Sequence, residues 1–425
     1  MLRTWSRTIV ATSTTYDLGN KTSKDGTVTN ELDEIQRLQH HDLAAAQVRA
    51  KVWLKAALGI DASSVTLRPQ PTSLNSFNGI AVIDGEEVFF KSHTEPGSII
   101  KEYYNSQVMH DVGYNAVLPL RTEQREGQQI AFYPVIKHPV MFDLMRRAER
   151  GEASSVTADQ LIAAEERECA SLLEIYRKSA ERSSAADHAS APVHQLFWHR
   201  LTGGRYDSFY GDSSIETPGG QPVAMTEILD ATWEINGIAQ PRTLRELVDE
   251  ATTVLDPHQA ALTVVGHGDA HFGNVFLADG KDFLYFDPAF AGRHSVILDV
   301  VKPLFHNVFA QWMYFPEEKA AEVPLQVERS DGRITVSYEN AFTPLRKAFL
   351  ELKRKALIEP LLDWLRAEDA LPHGTRTLDL ALMCCPLLTM NLTDKKKFPA
   401  SISWLGLALA LQMGNGDAGQ EFRFP

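Results

Sequence analysis

The chain has 425 residues, of which 44% are hydrophobic and 23% charged, so it can form roughly two or three folding units with substantial cores. Its net charge is −13, from 55 acidic and 42 basic residues, which argues against nucleic acid or an anionic membrane as the main partner, because those surfaces require clustered Lys and Arg. A cationic small molecule is compatible with this charge.

The cysteines predict a reducing compartment. Cys169, Cys384 and Cys385 lack the spacing of metal ligands and are expected to be buried free thiols. The first residues contain too short an apolar run for a secretory signal, and the most apolar later stretch, residues 405–411, is too short to cross a bilayer and predicts a buried helix. We therefore expect a cytoplasmic protein.

In chain order, residues 1–59 predict an extension followed by helix. Residues 1–30 are polar and show no helical period, whereas apolar residues between 31 and 58 recur at helical spacing and end at Gly59. The second stretch predicts one helix or two.

Residues 60–136 predict a small antiparallel sheet with one helix. Strands are expected at 65–68, 80–83, 87–91, 117–120 and 130–136, with a polar loop at 72–79, an Asp84-Gly85 turn, a helix at 98–110 and a polar hairpin at 121–129. Lys91 ends the third strand, where it could reach nucleotide phosphates or simply face solvent at an edge. Residues 134–139 are typical of a hinge between two lobes, or of a plain connector.

Residues 137–425 predict a larger, mainly helical lobe. Helices are expected at 140–150, 157–180, 243–255, 295–315, 344–366, 377–390 and 400–413, with a β-hairpin at 325–338. Residues 183–191, rich in Ser and Ala, predict an exposed linker that opens an insert spanning about 183–240.

The insert contains a mixture of aromatic and basic residues around a Gly pair. Such mixtures suit small-molecule sites, although a packed surface loop fits nearly as well. The candidate substrate residues are Trp198, His199, Arg200, Arg205 and Tyr206.

The most informative stretch is 264–287. Strands at 262–265 and 283–286 bracket a polar loop, and residues 275–277, an Asp279-Gly280 turn and the second strand predict a hairpin. The loop and the hairpin end bring together His267, Asp269, His271, Asn274 and Asp287. An Asn carbonyl and one carboxylate, with a substrate phosphate, suffice to bind Mg²⁺, which leaves Asp269 to orient a hydroxyl group.

The motif H-G-D-x-H-x-x-N is matched without a gap by His267, Gly268, Asp269, His271 and Asn274, and on it the chain resembles the aminoglycoside phosphotransferase and choline kinase family. The resemblance implies an α+β, two-lobed protein-kinase-like fold, with Asp269 as catalytic base, Asn274 and Asp287 as metal ligands, and Asp299 as a structural acid. It also implies that Lys91 pairs with Glu102 to place phosphates. Further nucleotide-binding candidates are Ser73, Asn75 and Ser76 in the phosphate-covering loop, and Val135 and Lys137 in the hinge.

The predicted function is an O-phosphotransferase that uses ATP, or another NTP, and Mg²⁺ to phosphorylate a hydroxyl of an antibiotic, amino alcohol, sugar or nucleoside. No nucleic acid or membrane partner is expected, and the chain is predicted to be a monomer or homodimer. A non-catalytic nucleotide-binding regulator is the alternative. A metallophosphoesterase fits less well, because the downstream metal clusters of that class are missing from the sequence.

Overall fold

The computed structural model describes residues 31–69, 76–93, 98–123, 125, 129–340 and 342–416. They form two compact units, one made of residues up to 107 with 116–137, and the other of 108–115 with 138 onward. In the described part of the chain, no helix is long and apolar enough to cross a membrane.

The first unit is built on a five-stranded antiparallel sheet of order β1-β2-β3-β5-β4. Its strands are Ala62–Leu67 (β1), Ser76–Ile83 (β2), Glu86–His93 (β3), Arg121–Glu123 (β4) and Ile130–Pro134 (β5), and its helices are Glu31–Leu38 (α1), Leu43–Leu58 (α2) and Ser98–Val112 (α3), of which the end of α3 belongs to the second unit. Asp84 and Gly85 both have positive φ, at 53° and 84°, which joins β2 to β3 through the two-residue turn that their sequence predicts.

Local sequence explains the helices of this unit. The helical stretch is two helices, because Asp42 caps the start of α2 with a hydrogen bond from Ala45 N–H, and Gly59 ends it in the left-handed conformation. Trp53 and Leu54 of α2 lie in one buried cluster with Phe77 and Phe90 of the sheet. Burial of these side chains holds α2 on the sheet.

Several predicted boundaries in the first unit are wrong. Residues 117–120 are not a strand; pairing starts where Leu120 N–H donates to Phe132 O at 2.7 Å, because Pro119 has no N–H to offer. Residues 76–79 belong to β2 rather than to a loop. Gly79 lies inside the sheet, where a Cβ would meet Thr66 O at 2.3 Å, so this glycine permits close strand contact. Lys91 lies within β3, which continues to His93.

The second unit is mainly helical. Its helices are Met141–Glu149 (α4), Ala158–Ser179 (α5), Ala185–Ala189 (α6), Trp198–Thr202 (α7), Arg205–Tyr210 (α8), Met225–Asp230 (α9), Leu244–Val254 (α10), Val296–Leu304 (α11), Gln311–Tyr314 (α12), Pro316–Glu322 (α13), Pro344–Lys353 (α14), Glu359–Ala367 (α15), Arg376–Leu388 (α16) and Ala400–Gly414 (α17). Two π-helical stretches, Phe305–Phe309 and Arg354–Ile358, continue α11 and α14. The α+β prediction, with an antiparallel sheet first and a helical part after it, is confirmed.

Short strands complete this unit. They are Glu181–Ser183 (β6), Ser214–Glu216 (β7), Pro222–Ala224 (β8), Thr232–Ile235 (β9), Ile238–Ala239 (β10), Ala261–Gly266 (β11), Val275–Ala278 (β12), Asp282–Tyr285 (β13), Gly292–Ser295 (β14), Leu325–Ser330 (β15) and Arg333–Tyr338 (β16). They pair as β14-β11-β6, β10-β9-β16-β15, β12-β13 and β7-β8. All pairs are antiparallel except β16 with β9.

Residues 183–191 are largely exposed, as predicted, but they do not form a linker, because they contain the end of β6 and all of α6. Ser183 is buried in β6, where its hydroxyl lies 2.6 Å from the hydroxyl of Thr263 in β11, and α6 follows directly. The segment therefore forms one edge of the sheet that carries the candidate site. Ser184 caps the start of α6, where its side chain accepts a hydrogen bond from Asp187 N–H.

Candidate active site

The polar loop of residues 267–274 connects β11 to the β12–β13 hairpin. Asp279 and Gly280 have φ of 52° and 67°, and β12 pairs with β13 in the predicted antiparallel register. Phe286 N–H donates to Asn274 O at 3.1 Å. Asp287 directly follows Phe286, so Asn274 and Asp287 lie at the same end of the hairpin. Asp287 has φ of 55°, an unfavourable backbone conformation for a non-glycine residue that is typical of functional turns.

His267 joins the loop to the end of β13. Asp269 N–H donates to His267 Nδ1 at 3.3 Å, which places the ring proton on Nε2, and Nε2 lies 3.0 Å from Phe286 O. The ring is fully buried. One imidazole ring therefore links the backbone of Asp269 to that of Phe286, which precedes Asp287.

Asp299 holds the start of the loop from α11. Its Oδ1 accepts hydrogen bonds from Gly268 N–H at 2.6 Å and His294 Nε2 at 3.1 Å, and its Oδ2 accepts one from Tyr176 at 2.6 Å. Burial raises the pKa of Asp299, but the hydrogen bonds from His294, Tyr176 and the backbone outweigh burial and leave the pKa below its usual value. Asp299 is thus a buried, ionised support for the loop.

Asp269 itself is ionised and incompletely satisfied. Its Oδ1 is buried without a hydrogen-bond partner and lies 3.8 Å from Lys302 Nζ, whereas Oδ2 lies 3.9 Å from His271 Nε2. Burial raises the pKa of Asp269, but the charge of Lys302, followed by His271, lowers the pKa below its usual value. Oδ2 accepts no hydrogen bond within the described chain and is the oxygen left for a hydroxyl donor.

Sequence reasoning missed a buried chain of side chains beside Asp269. Lys302 Nζ lies 2.8 Å from His306 Nε2, and His306 Nδ1 lies 2.7 Å from the hydroxyl of Tyr314. Burial, and then the charge of Lys302, lowers the pKa of His306 well below its usual value, so the ring accepts from Lys302 and donates to Tyr314. The available signal was the Lys302–His306 spacing of one helical turn, directly after Asp299.

A π-helical stretch positions this chain. Pro303 lacks an N–H and interrupts the regular helix, and residues 305–309 continue in π geometry. The side chain of Asn307 then accepts a hydrogen bond from Phe272 N–H at 2.8 Å, and the His306 ring lies 5.2 Å from that of His271. The helix after β14 therefore touches the 267–274 loop through consecutive residues.

The oxygen donors at the hairpin end suit a hard divalent cation. Asn274 Nδ2 donates to Asp269 O at 2.9 Å, which turns the amide oxygen away and leaves it as a ligand. Within the described residues, no group of three or more His, Cys, Asp or Glu side chains could hold a metal. Asn274 and Asp287 would thus supply two ligands, and phosphate oxygens and water the remainder, which is coordination that Mg²⁺ accepts.

Of the five substrate candidates, one basic pair lies near Asp269. Arg200 and Arg205 each donate from Nη1 to Leu388 O, at 3.3 and 3.2 Å. Burial, and then the charge of Arg205, lowers the pKa of Arg200 to about 10, while Asp269 acts in the opposite direction. Leu388 precedes Thr389, whose hydroxyl accepts from Lys302 Nζ at 3.5 Å, so both arginines bind one residue away from the contact of the lysine that lies beside Asp269.

The other three candidates point elsewhere. Trp198 donates to Thr252 O at 3.0 Å and packs against α10, and His199 is exposed beside it. The buried hydroxyl of Tyr206 lies among the charges of Arg245 and Asp249. In the described chain, no contact joins these three residues to Asp269. Their role in substrate recognition stays a prediction.

The nucleotide candidates lie in the first unit. Lys91 lies in β3 opposite Asn78 and Ala131, Ser76 begins β2, Glu102 lies in α3, and Val135 and Lys137 follow β5. Ser73 and Asn75 lie outside the described residues, as do the side chains of Ser76 and Glu102. The predicted Lys91–Glu102 pair stays a prediction.

Comparison with protein-family models found no match, and comparison with curated protein sequences found none either. Among solved structures, the chain is similar to a spectinomycin phosphotransferase in complex with ADP and spectinomycin, at 15% identity over 86% of this chain and 98% of the other, with a TM-score of 0.37. It is also similar to a thermostable mutant of an aminoglycoside phosphotransferase, at 10% identity over 86% and 97%, with a TM-score of 0.42. A macrolide 2'-phosphotransferase from Brachybacterium faecium gives 14% identity over 85% and 96%, with a TM-score of 0.39.

These three proteins are phosphotransferases of the kind that the 267–274 motif resembles. Because the TM-scores lie below 0.5, the likeness does not decide the activity or the substrate of this chain, and both are inferred from its own residues.

Proposed function

We propose that this protein is an ATP- and Mg²⁺-dependent phosphotransferase that acts on a hydroxyl group of a small molecule. One observation carries the proposal: Asp269 is an ionised carboxylate whose Oδ1 is buried beside Lys302 and whose Oδ2 accepts no hydrogen bond from the described chain. A buried carboxylate left without a donor is costly, and a substrate hydroxyl is the donor that would satisfy it.

The proposed reaction is an in-line displacement. The substrate hydroxyl oxygen forms a bond to the γ-phosphorus, the bond from that phosphorus to the β,γ-bridging oxygen breaks, ADP leaves, and the hydroxyl proton passes to Asp269 Oδ2. Bound Mg²⁺ neutralises charge on the phosphates, and Asn274 and Asp287 would hold it. Lys91, paired with Glu102, is proposed to bind the nucleotide phosphates.

The rigidity of the loop supports this role for Asp269. Its backbone N–H bonds to His267, and its carbonyl accepts from the Asn274 side chain, so the residue is held on both sides. A carboxylate fixed in this way loses little freedom when a substrate binds, and such positioning supplies much of the rate in phosphoryl transfer.

The test is Asp269→Asn, with Asp282→Asn as the matched control on the same hairpin, where the side chain is 55% exposed. ADP formation with a panel of alcohols, with mass detection of the phosphorylated product, measures turnover, and titration calorimetry measures nucleotide binding. We expect Asp269→Asn to lower kcat by about 10²- to 10⁴-fold with the nucleotide Kd unchanged, and the control to behave as the native chain. Full turnover by Asp269→Asn would refute the assignment, and nucleotide binding without transfer by the native chain would favour the non-catalytic alternative.

A further inference from the structure

Two guanidinium groups meet at the end of α16. Arg200 from α7 and Arg205 from α8 both donate to the carbonyl oxygen of Leu388. Among the described residues, neither arginine has a carboxylate within ion-pair distance, and each uses one of its five N–H donors in this hydrogen bond. We call Arg200 and Arg205 the guanidinium pair.

Nearby negative charge does not balance the guanidinium pair. The C-terminus of α16 supplies about half a negative charge through its aligned peptide dipoles. Lys302 adds a third cation, because its Nζ donates to the hydroxyl of Thr389 at 3.5 Å, and Thr389 directly follows Leu388. Asp269 is the acid whose charge acts on Arg200 and Lys302, and one carboxylate cannot offset three cations. Arg205 is exposed and Arg200 is half-buried, so both are within reach of a ligand, and like charges held together favour binding of an anion.

The guanidinium pair lies on the acceptor side of the site. Leu388, the shared acceptor of the pair, precedes Thr389, whose hydroxyl accepts from Lys302 Nζ at 3.5 Å, and Lys302 lies beside Asp269. The metal and the phosphates are assigned instead to Asn274 and Asp287 at the hairpin end. A group bound to Arg200 would thus belong to the molecule whose hydroxyl reaches Asp269. The remaining N–H donors of a guanidinium form a planar fork that matches the two oxygens of a carboxylate or of a phosphate.

We propose that Arg200 and Arg205 bind an anionic group of the acceptor, so that the substrate is an alcohol that also carries a carboxylate or phosphate. This inference rests on the proposed function and replaces the expectation of a cationic substrate that the net charge of −13 suggested. The amino groups of an aminoglycoside would be repelled by the same three cations. Overall charge attracts ligands to the surface, but the side chains at the site decide which ligand binds.

The first arm of the test compares matched alcohols. Hydroxy acids are paired with their amides, and sugar phosphates with the parent sugars, and an aminoglycoside is included. We expect kcat/KM for the anionic member to exceed that for its neutral partner by about tenfold to a hundredfold, since charge-assisted hydrogen bonds are lost in the neutral partner. Preference for the hydroxy acid or for the sugar phosphate identifies the anion. Faster turnover of neutral or aminoglycoside alcohols would overturn the inference while leaving the proposed function intact.

The second arm uses variants. Arg200→Gln and Arg205→Gln should each raise KM for the anionic alcohol by about tenfold or more, and by clearly less for its neutral partner, so that the preference is lost, with KM for ATP unaffected. Arg200→Lys should restore part of the preference. Arg182→Gln is the matched control, because Arg182 also donates to a backbone carbonyl, that of Glu368 at 2.6 Å, at a different place. An equal loss for both alcohols, or a raised KM for ATP, would contradict the inference.

A binding measurement separates the two proposals. Sodium sulfate is titrated against sodium chloride at matched ionic strength while tryptophan fluorescence is followed, since Trp198 and Arg200 lie in the same short helix. We expect saturable sulfate binding by the native chain and by Arg182→Gln, and none by Arg200→Gln. If no alcohol is phosphorylated, the proposed function is wrong, yet sulfate binding that requires Arg200 still supports the anion site. Sulfate binding that does not depend on Arg200 overturns it.

Discussion

Lys302 Nζ lies 3.8 Å from Asp269 Oδ1, and the Lys302 side chain is only 4% exposed. Separated by more than a hydrogen-bond length, the two groups attract as charges while the carboxylate keeps its lone pairs. Lys302 itself is held by the neutral His306 ring, which bonds to Tyr314. The arrangement keeps Asp269 ionised and its orientation fixed.

Lys302→Met should therefore shift the pH dependence of activity. In its proposed role Asp269 acts in its ionised form, so activity should be lost as pH falls through its pKa, and removal of the ammonium group raises that pKa. We expect the acid limb of the kcat/KM profile to move to higher pH by about one unit or more. The exposed Lys355→Met serves as control, and an acid limb left in place by Lys302→Met would show that Lys302 has no such role.

Gly268→Ala should disrupt the catalytic loop. Gly268 has φ of 77°, and a Cβ there would meet Phe290 O at 2.5 Å, so alanine suffers both backbone strain and a collision. Gly332 has nearly the same φ, 75°, with nothing within 4 Å of a Cβ, and Gly332→Ala isolates the strain. We expect Gly332→Ala to cost about 1–2 kcal/mol of unfolding free energy and Gly268→Ala clearly more, with loss of turnover. If urea denaturation shows that both variants lose the same free energy of unfolding, the segment around Phe290 moves to accommodate the added methyl group.

Asp299→Asn tests the buried support. Its pKa is held below the usual 3.8, so ionised Asp299 adds stability at neutral pH, and this contribution is lost as pH falls through the lowered pKa. Asparagine keeps one acceptor oxygen but presents an NH₂ group to the second set of donors. We expect a loss of about 2–4 kcal/mol in urea denaturation at pH 7, shrinking toward pH 3. A difference that does not vary with pH would mean that Asp299 is not ionised.

Glu168→Gln should have the opposite pH dependence. Burial raises the pKa of Glu168 to about 7, although Tyr285 donates to its Oε1 at 2.6 Å. Because the folded pKa exceeds the unfolded value, native stability falls as pH rises from about 4.5 to about 7. Glutamine keeps the acceptor oxygen and removes the charge. Across this pH interval the free energy of unfolding of the variant should therefore rise relative to that of the native chain, by up to about 3 kcal/mol. Stability curves measured at several pH values that stay parallel would contradict the raised pKa.

Features encoded within a few residues were predictable from the sequence. The Asp279-Gly280 turn and the hairpin around it, the capping box at Thr157 and Gln160, and the two-part order of sheet and then helices all follow from local conformational preferences and hydrophobic period. The 267–274 motif could be recognised in the sequence because its residues lie in one short loop. Chain proximity there guarantees spatial proximity, whatever the rest of the molecule does.

Contacts between distant segments were decided only by the tertiary structure. Arg200 meets Leu388 across 188 residues, and Ser183 meets Thr263 across 80, so neither contact leaves a local pattern. Lys302 approaches Asp269 because α11, interrupted at Pro303, packs behind the loop. The local charge at the candidate site comes from side chains of separate elements, which the packing of the core brings together. The composition gives only the net charge of the whole chain. The fold alone determines that the cation of Lys302 lies beside Asp269.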